Sequence, residues 1–239
     1  MANTLRSCIV AEEGYSFVSL DASQIELRVL AILSQDPQML EDLKTGDLHM
    51  ATAIRMFGWT DDEVVMKERR YKAKQGNFAD VYGATEDKLA EMLECTPAEA
   101  LEFQEERKRT YPTLYKWMEE KVSQAKEEGF VINMFGRIRP LPELKAGSWR
   151  MREKAEKKIV NTIIQGTAVD IIKLAMLHLR RILDREVKLV LQVHDEILLE
   201  VPDSLLPETL IKCRTLASIL PDYPFTTMIG KRYSELEEV

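Results

Sequence analysis

Tyr15-Ser16-Phe17-Val18-Ser19-Leu20-Asp21-Ala22-Ser23-Gln24-Ile25-Glu26-Leu27-Arg28 changes its pattern partway along. Aromatic and apolar residues alternate with serines through Leu20, which predicts a strand, and from Ser23 the reading is helical until Asp36-Pro37 stops it. Asp21 sits at the junction. Far downstream, the apolar runs Val187 to Leu191 and Ile197 to Val201 flank Gln192-Val193-His194-Asp195-Glu196. That arrangement predicts a hairpin with acids at its turn. A long helix centred on Asn161 to Ile182 precedes it; an amphipathic helix over Ser204 to Leu220 and a last strand over Phe225 to Ile229 follow. Between the two ends, roughly Leu48 to Ala146 reads mainly as helices broken at Gly58, Gly83, Pro97, Pro112 and Gly129. The expected fold is α+β: an antiparallel sheet built from both ends of the chain, residues 1–48 and 147–239, with a helical subdomain inserted at residues 49–146.

The 239 residues are 45% apolar, enough for a sizeable core, and no repeat, low-complexity tract or Pro/Ser-rich linker divides them. Acids interrupt the longest apolar runs, so no membrane span is expected. The first residues lack a secretory pattern, and Cys8, Cys95 and Cys213 are too scattered for a disulfide framework or a zinc site, which fits a reducing cytoplasm. A net charge of −7 and a pI of 5.2 argue at first against a nucleic-acid partner. Binding, however, responds to local fields, and basic residues gather at Lys67 to Lys74, Arg137 to Arg139 and Lys145 to Lys158. For any one cluster alone, a solvated helix face is the commoner reading.

Asp21 at a strand end and Asp195 at a hairpin turn would meet at one sheet edge. Two aspartates plus substrate phosphates can hold two Mg²⁺ ions, which prefer hard oxygen ligands. By position alone, ordinary turn acids are the commoner reading. Arg70, Lys74, Phe78 and Tyr82 recur every fourth residue, forming a helical stripe over about 18 Å with cations first and aromatics after. A nucleoside triphosphate fits that order, and so does a mixed surface stripe with a core-facing end. Asn161 and Gln165 share a helix face; amides there could test base-pair geometry in the minor groove or simply satisfy backbone. Ser23 to Glu26 has the form of a capping box.

These segments together resemble family A DNA polymerases, the family of bacterial DNA polymerase I. Asp21 to Arg28 resembles motif A, Gln192 to Glu196 motif C, and Arg70 to Phe78 running on to Tyr82-Gly83 motif B; they occur in the family's order. The resemblance implies a palm and fingers and template-directed addition of dNTPs to a primer 3′-OH by two-metal phosphoryl transfer, with release of pyrophosphate. Asp21 and Asp195 would hold two Mg²⁺ ions, with Glu196 and Lys74 also in the catalytic set. Arg70 would hold the γ-phosphate, Lys74 the α-phosphate region, Phe78 the sugar and base, and Tyr82 the nascent pair. Glu26 would exclude ribonucleotides, with Gln24 also in the nucleotide set; His49 resembles the family's phosphate-contacting histidine, although a lone histidine is more often a surface or capping residue. Asn161, Gln165, Lys157, His194, Arg137 and Arg139 would contact DNA.

Some positions depart from the family pattern. Ala22 replaces an aromatic, Ala79 a glycine, Asp80 an apolar residue and Lys157 an arginine. The last exchanges a planar fork for a point charge. The sequence begins just upstream of motif A, so neither thumb nor exonuclease is expected from it, and primer-template DNA would be bound weakly unless a separate chain supplies a thumb. The implied setting is a bacterial cytoplasm, or that of a phage-infected host. Two rivals remain: an incomplete polymerase fragment acting as a primer-template or subunit-binding module, and a metal-dependent nuclease, which leaves the Arg70 to Tyr82 stripe without a purpose.

Overall fold

The computed structural model describes residues 5–239, with Asp80 described by its backbone alone. The chain divides into two compact units, one made of residues 1–27 and 167–239, the other of residues 28–166.

The first unit is built on a five-stranded antiparallel sheet. Its strands are β1 (Tyr15–Ala22), β4 (Lys188–Val193), β5 (Glu196–Pro202), β6 (Phe225–Gly230) and β7 (Glu237–Glu238), in the order β4-β5-β1-β6-β7. Strand β1 is central because its side chains satisfy both faces. Val18, Leu20 and Ala22 on one face are at most 1% exposed. On the other face, Phe17 packs with Leu198 and Tyr233, and polar residues follow towards the strand end. Each fully buried aliphatic of this kind contributes about 1.5–3 kcal/mol. Two buried serines on β1 find charged acceptors: Ser16 Oγ donates to Asp203 and Ser19 Oγ to Glu196, both at 2.6 Å. The sheet is antiparallel as expected, but Phe225–Gly230 is not the last strand. The helix expected over Ser204 to Leu220 is broken into α9 (Leu206–Cys213) and α10 (Leu216–Ile219).

The second unit is mainly helical. Helix α1 (Ile25–Ser34) and the long α8 (Trp149–Ile182) each contain a unit boundary; between them lie α2 (Pro37–Lys44), α3 (Leu48–Phe57), α4 (Glu63–Val81), α5 (Glu86–Leu93), α6 (Pro97–Thr110) and α7 (Pro112–Glu128). The punctuation has local causes. Gly58, Gly83 and Gly129 all take positive φ where helical winding stops, and Pro97 and Pro112 start helices at a position that needs no N–H. Thr96 and Glu99 form a reciprocal capping box. Asp36 caps α2 through Met39 N–H at 3.0 Å and also accepts Leu114 N–H at 3.1 Å, tying the start of α2 to α7. Asp36-Pro37 therefore begins a helix as well as ending one.

One element lies outside the helices expected to make up most of the insert. Strands β2 (Phe130–Ile132) and β3 (Ile138–Pro140) pair as a hairpin. Its turn is set by Asn133, whose Oδ1 accepts from the Phe135 and Arg137 N–H groups at 3.0 and 2.9 Å. Helix α8 is, among the described residues, long and apolar enough by length and composition to cross a membrane. However, 56% of the relevant window is buried within the protein, as in a core helix.

Candidate active site

The two sequence-predicted carboxylates come together through the backbone. In the β1–β5 ladder Asp21 pairs with Glu196, and Ala22 N–H donates to the Asp195 carbonyl at 3.1 Å. Both aspartates are half-buried. The hairpin that carries Asp195 turns at His194, which is exposed and takes φ 54°, the left-handed region. Hard oxygen donors at half-buried positions suit Mg²⁺, which needs few protein ligands. Among the described residues no group of three or more His, Cys, Asp or Glu forms a metal cluster, so any metal here would rest on these two acids and on its own waters or substrate.

Glu196 is occupied otherwise. It is buried and accepts from Ser19 Oγ and Tyr233 Oη, each at 2.6 Å, and from Arg6 at 3.3 Å. The Arg6 guanidinium also lies over the Tyr233 ring, 4.4 Å from its centroid. Burial, and then the bond to Glu196, push the Tyr233 hydroxyl up to about 12, so it remains a donor. This network braces the strand pair beneath Asp21 and Asp195. Arg6 and Tyr233 were not legible as partners, because neither lies near the motif in sequence.

Just beyond β1, Ser23 Oγ lies 3.1 Å from Thr226 Oγ1 and Gln24 takes φ 53°. The helix starts at Ile25, so Glu26 is in its first turn but one position short of what a box capped by Ser23 requires. Ala22 is fully buried and pairs with Phe225 on β6.

The second unit carries the phosphate-type residues on α4. Arg70 is ion-paired with Asp47, the residue that also caps α3 by accepting the His49 and Met50 N–H groups. Lys74 is exposed. Phe78 and Tyr82 are stacked with centroids 6.1 Å apart, and the Phe78 ring is tilted against His49 at 5.6 Å. Arg70, Lys74 and Phe78 thus follow one another along α4, with Tyr82 one residue past its end. His49 is neither a surface residue nor a cap. It is 2% exposed, with Nδ1 3.1 Å from Asn77 Nδ2, and burial lowers its pKa to about 4. Asn77 and Arg107 complete this cluster. A charged residue on the otherwise apolar stripe of Ala100, Phe103, Tyr111 and Leu114 was the available signal for Arg107.

The remaining candidates lie on α8 and the hairpin. Asn161 is half-buried, with an Oδ1 that has no hydrogen-bond partner among the described residues; Gln165 is exposed. Lys157 pairs with Glu153 at 3.1 Å and its stem lies against Gly83, where an added Cβ would meet Lys157 Cγ at 3.3 Å. Arg137 and Arg139 are exposed, and Arg139 donates to Thr162 Oγ1 at 3.2 Å. Ala79 is buried in the core between α4, α5 and α6.

The chain is similar to known proteins of one family. The family model described as DNA polymerase family A matches residues 1–218. The chain is 39% identical over 206 residues to the thermostable DNA polymerase I of Thermus thermophilus, covering 85% of this chain and 25% of that one. It is 41% identical over 202 residues to DNA polymerase I of Lactococcus lactis, covering 83% and 23%. It therefore spans about a quarter of the length of these relatives. Among solved structures it resembles the polymerase domain of Pol1 from M. smegmatis, in complex with a DNA primer-template and dNTP, with a TM-score of 0.89 and 33% identity over 97% of this chain and 42% of that one. With a sheet edge carrying two aspartates and a helix carrying a cationic and aromatic stripe, this chain belongs to DNA polymerase family A.

Proposed function

We propose that this chain is the nucleotidyl-transfer core of a template-directed DNA polymerase. In this reading the sheet unit acts as palm and the helical unit as fingers. The observation that carries it is the juxtaposition of Asp21 and Asp195 through the Ala22 N–H to Asp195 carbonyl bond at 3.1 Å. Asp21 and Asp195 would hold two Mg²⁺ ions, which when bound supply Lewis acidity towards the primer 3′-oxygen and the α-phosphate. The chain's own part is positioning. Arg70 and Lys74 hold the triphosphate, and Phe78 and Tyr82 pack against the sugar, base and nascent pair. Glu26 occupies the space a ribose 2′-OH would need.

Glu196 acts from beneath as a brace, since its oxygens already serve Ser19, Tyr233 and Arg6. Asn161 and Gln165 test pair geometry in the minor groove, with Lys157, Arg137, Arg139 and His194 along the DNA. The named relatives are bacterial, which fits a cytoplasmic setting. Without a thumb, supplied in cis or by another chain, binding to primer-template is weak and falls steeply with salt. The test is single-nucleotide incorporation on four primer-templates that differ only in the templating base. Incorporation that follows the template supports the reading. Cleavage of DNA in Mg²⁺ without nucleotides would favour a nuclease, and binding without incorporation would favour a primer-template-binding module.

A further inference from the structure

Asn77 stands at the centre of a polar cluster built by α3, α4 and α6, and is 0% exposed. Two partners fix which way its amide points. Arg107, 1% exposed, carries donors only, and its guanidinium bonds Asn77 Oδ1, so that atom is the oxygen. Thr52 Oγ1 gives its proton to the Leu48 carbonyl at 2.9 Å. Its 3.1 Å contact with Asn77 therefore forms only if Asn77 supplies the hydrogen. The same amide nitrogen lies 3.1 Å from His49 Nδ1. One amide hydrogen goes to Thr52 and the other to His49, so Nδ1 must present a lone pair. A neutral ring then carries its proton on Nε2.

Burial keeps the ring neutral, and the charges of Arg70, Lys74 and Arg107 act in the same direction against that of Asp47. The tilted contact with Phe78 restrains the ring plane.

We propose that Arg107 and Asn77 are positioning residues that hold His49 as the neutral Nε2–H tautomer, making it a preset hydrogen-bond donor to a phosphate oxygen of the nucleoside triphosphate on the α4 stripe. The inference rests on the function proposed above. A neutral donor serves the anion without adding a cation to a cluster that already holds Arg70, Lys74 and Arg107. The opposite tautomer would turn a lone pair towards phosphate.

The test is long-range proton–nitrogen NMR on the full chain with ¹⁵N-histidine, resolving His49 from His178 and His194 by a His49→Gln variant. At pH 7 without nucleotide, His49 is expected to show an unprotonated Nδ1 and a protonated Nε2. An Nδ1–H ring or an imidazolium overturns the proposal, and this needs no other variant to fold. Adding dTTP with Mg²⁺ is expected to shift the Nε2–H resonance; no shift at saturating dTTP overturns the donor role. If primer extension nevertheless proceeds, the donor role fails alone; if extension is also absent, the polymerase reading fails with it. Arg107→Met frees Asn77 to turn, so both tautomers are expected and the KM for dTTP rises about tenfold with a smaller change in kcat. Arg107→Lys, which keeps a donor, restores both signatures. A folded Arg107→Met protein with an unchanged tautomer and KM would contradict the role of Arg107.

Discussion

Gly76 on α4 offers a sharp test of the packing that supports the α4 stripe. A Cβ added there would lie 2.5 Å from Phe103 Cζ and 2.8 Å from Phe103 Cε1, closer than real carbon contacts allow. Phe103 is 2% exposed and packed among Ala79, Leu89, Ala90, Leu93 and Ala100, so any retreat of its ring disturbs that packing. Overpacking of a well-filled core costs about 1–3 kcal/mol, and two ring atoms in conflict put Gly76→Ala near the upper end. Replacing glycine by alanine inside a helix returns roughly 1 kcal/mol. The net expectation is a loss of about 1–2 kcal/mol. All three tryptophans, Trp59, Trp117 and Trp149, lie in the helical unit, so urea unfolding followed by tryptophan fluorescence reports on that unit. With a slope of about 1–3 kcal/mol/M, the midpoint should fall by roughly 0.5–1 M. A Gly76→Ala, Phe103→Leu double variant should recover part of the loss. A single variant as stable as the parent, or more so, would refute the close approach of α4 and α6.

Three further outcomes follow from the site. His49 has its pKa lowered from 6.5 to about 4 by burial, so between these values the unfolded chain binds a proton that the folded one does not. Stability is therefore fully present above about pH 6.5 and is lost as pH falls towards 4, by up to about 3 kcal/mol; His49→Gln should flatten that part of the urea midpoint against pH, and an unchanged slope would contradict the burial. Glu196→Gln puts an amide nitrogen where one of Ser19, Tyr233 or Arg6 needs an acceptor, costing about 1–3 kcal/mol in urea unfolding followed by far-UV circular dichroism. No loss would mean that Glu196 is not the brace described. Glu26→Ala should raise incorporation of ribonucleotides relative to deoxynucleotides in primer extension, and equal discrimination would remove Glu26 as the sugar gate.

Much of this architecture was legible because its signals are local. Gly58, Gly129, Pro97 and Pro112 act on the chain where they stand, and the acids at Asp195 and Glu196 marked a turn that His194 completes with its left-handed backbone. Asp21 and Asp195 could be brought to one sheet edge because alternation marked the first strand and the apolar runs flanking Asp195 marked the hairpin. What escaped notice is non-local or very short. The hairpin of Phe130 to Pro140 has three-residue strands and depends on the Asn133 side chain at its turn. The Ser23 to Glu26 box had the right spacing, yet Gln24 takes φ 53° and the helix begins at Ile25, one residue late for Ser23 as its cap, while the reciprocal box formed at Thr96 and Glu99. The pairing of Arg6 and Tyr233 with Glu196, and of Arg107 with Asn77, joins residues distant in sequence. Spacing within one helix carries no information about such partners.

The central claim is that Asp21 and Asp195 make this chain a polymerase core. Its most direct test is primer extension by the purified chain at low salt with Mg²⁺ and four dNTPs, beside an Asp21→Ala, Asp195→Ala double variant of equal fold by circular dichroism. The account predicts template-dependent extension by the parent and none by the variant; extension that survives loss of both aspartates, or a folded parent inactive even at high concentration, would contradict it.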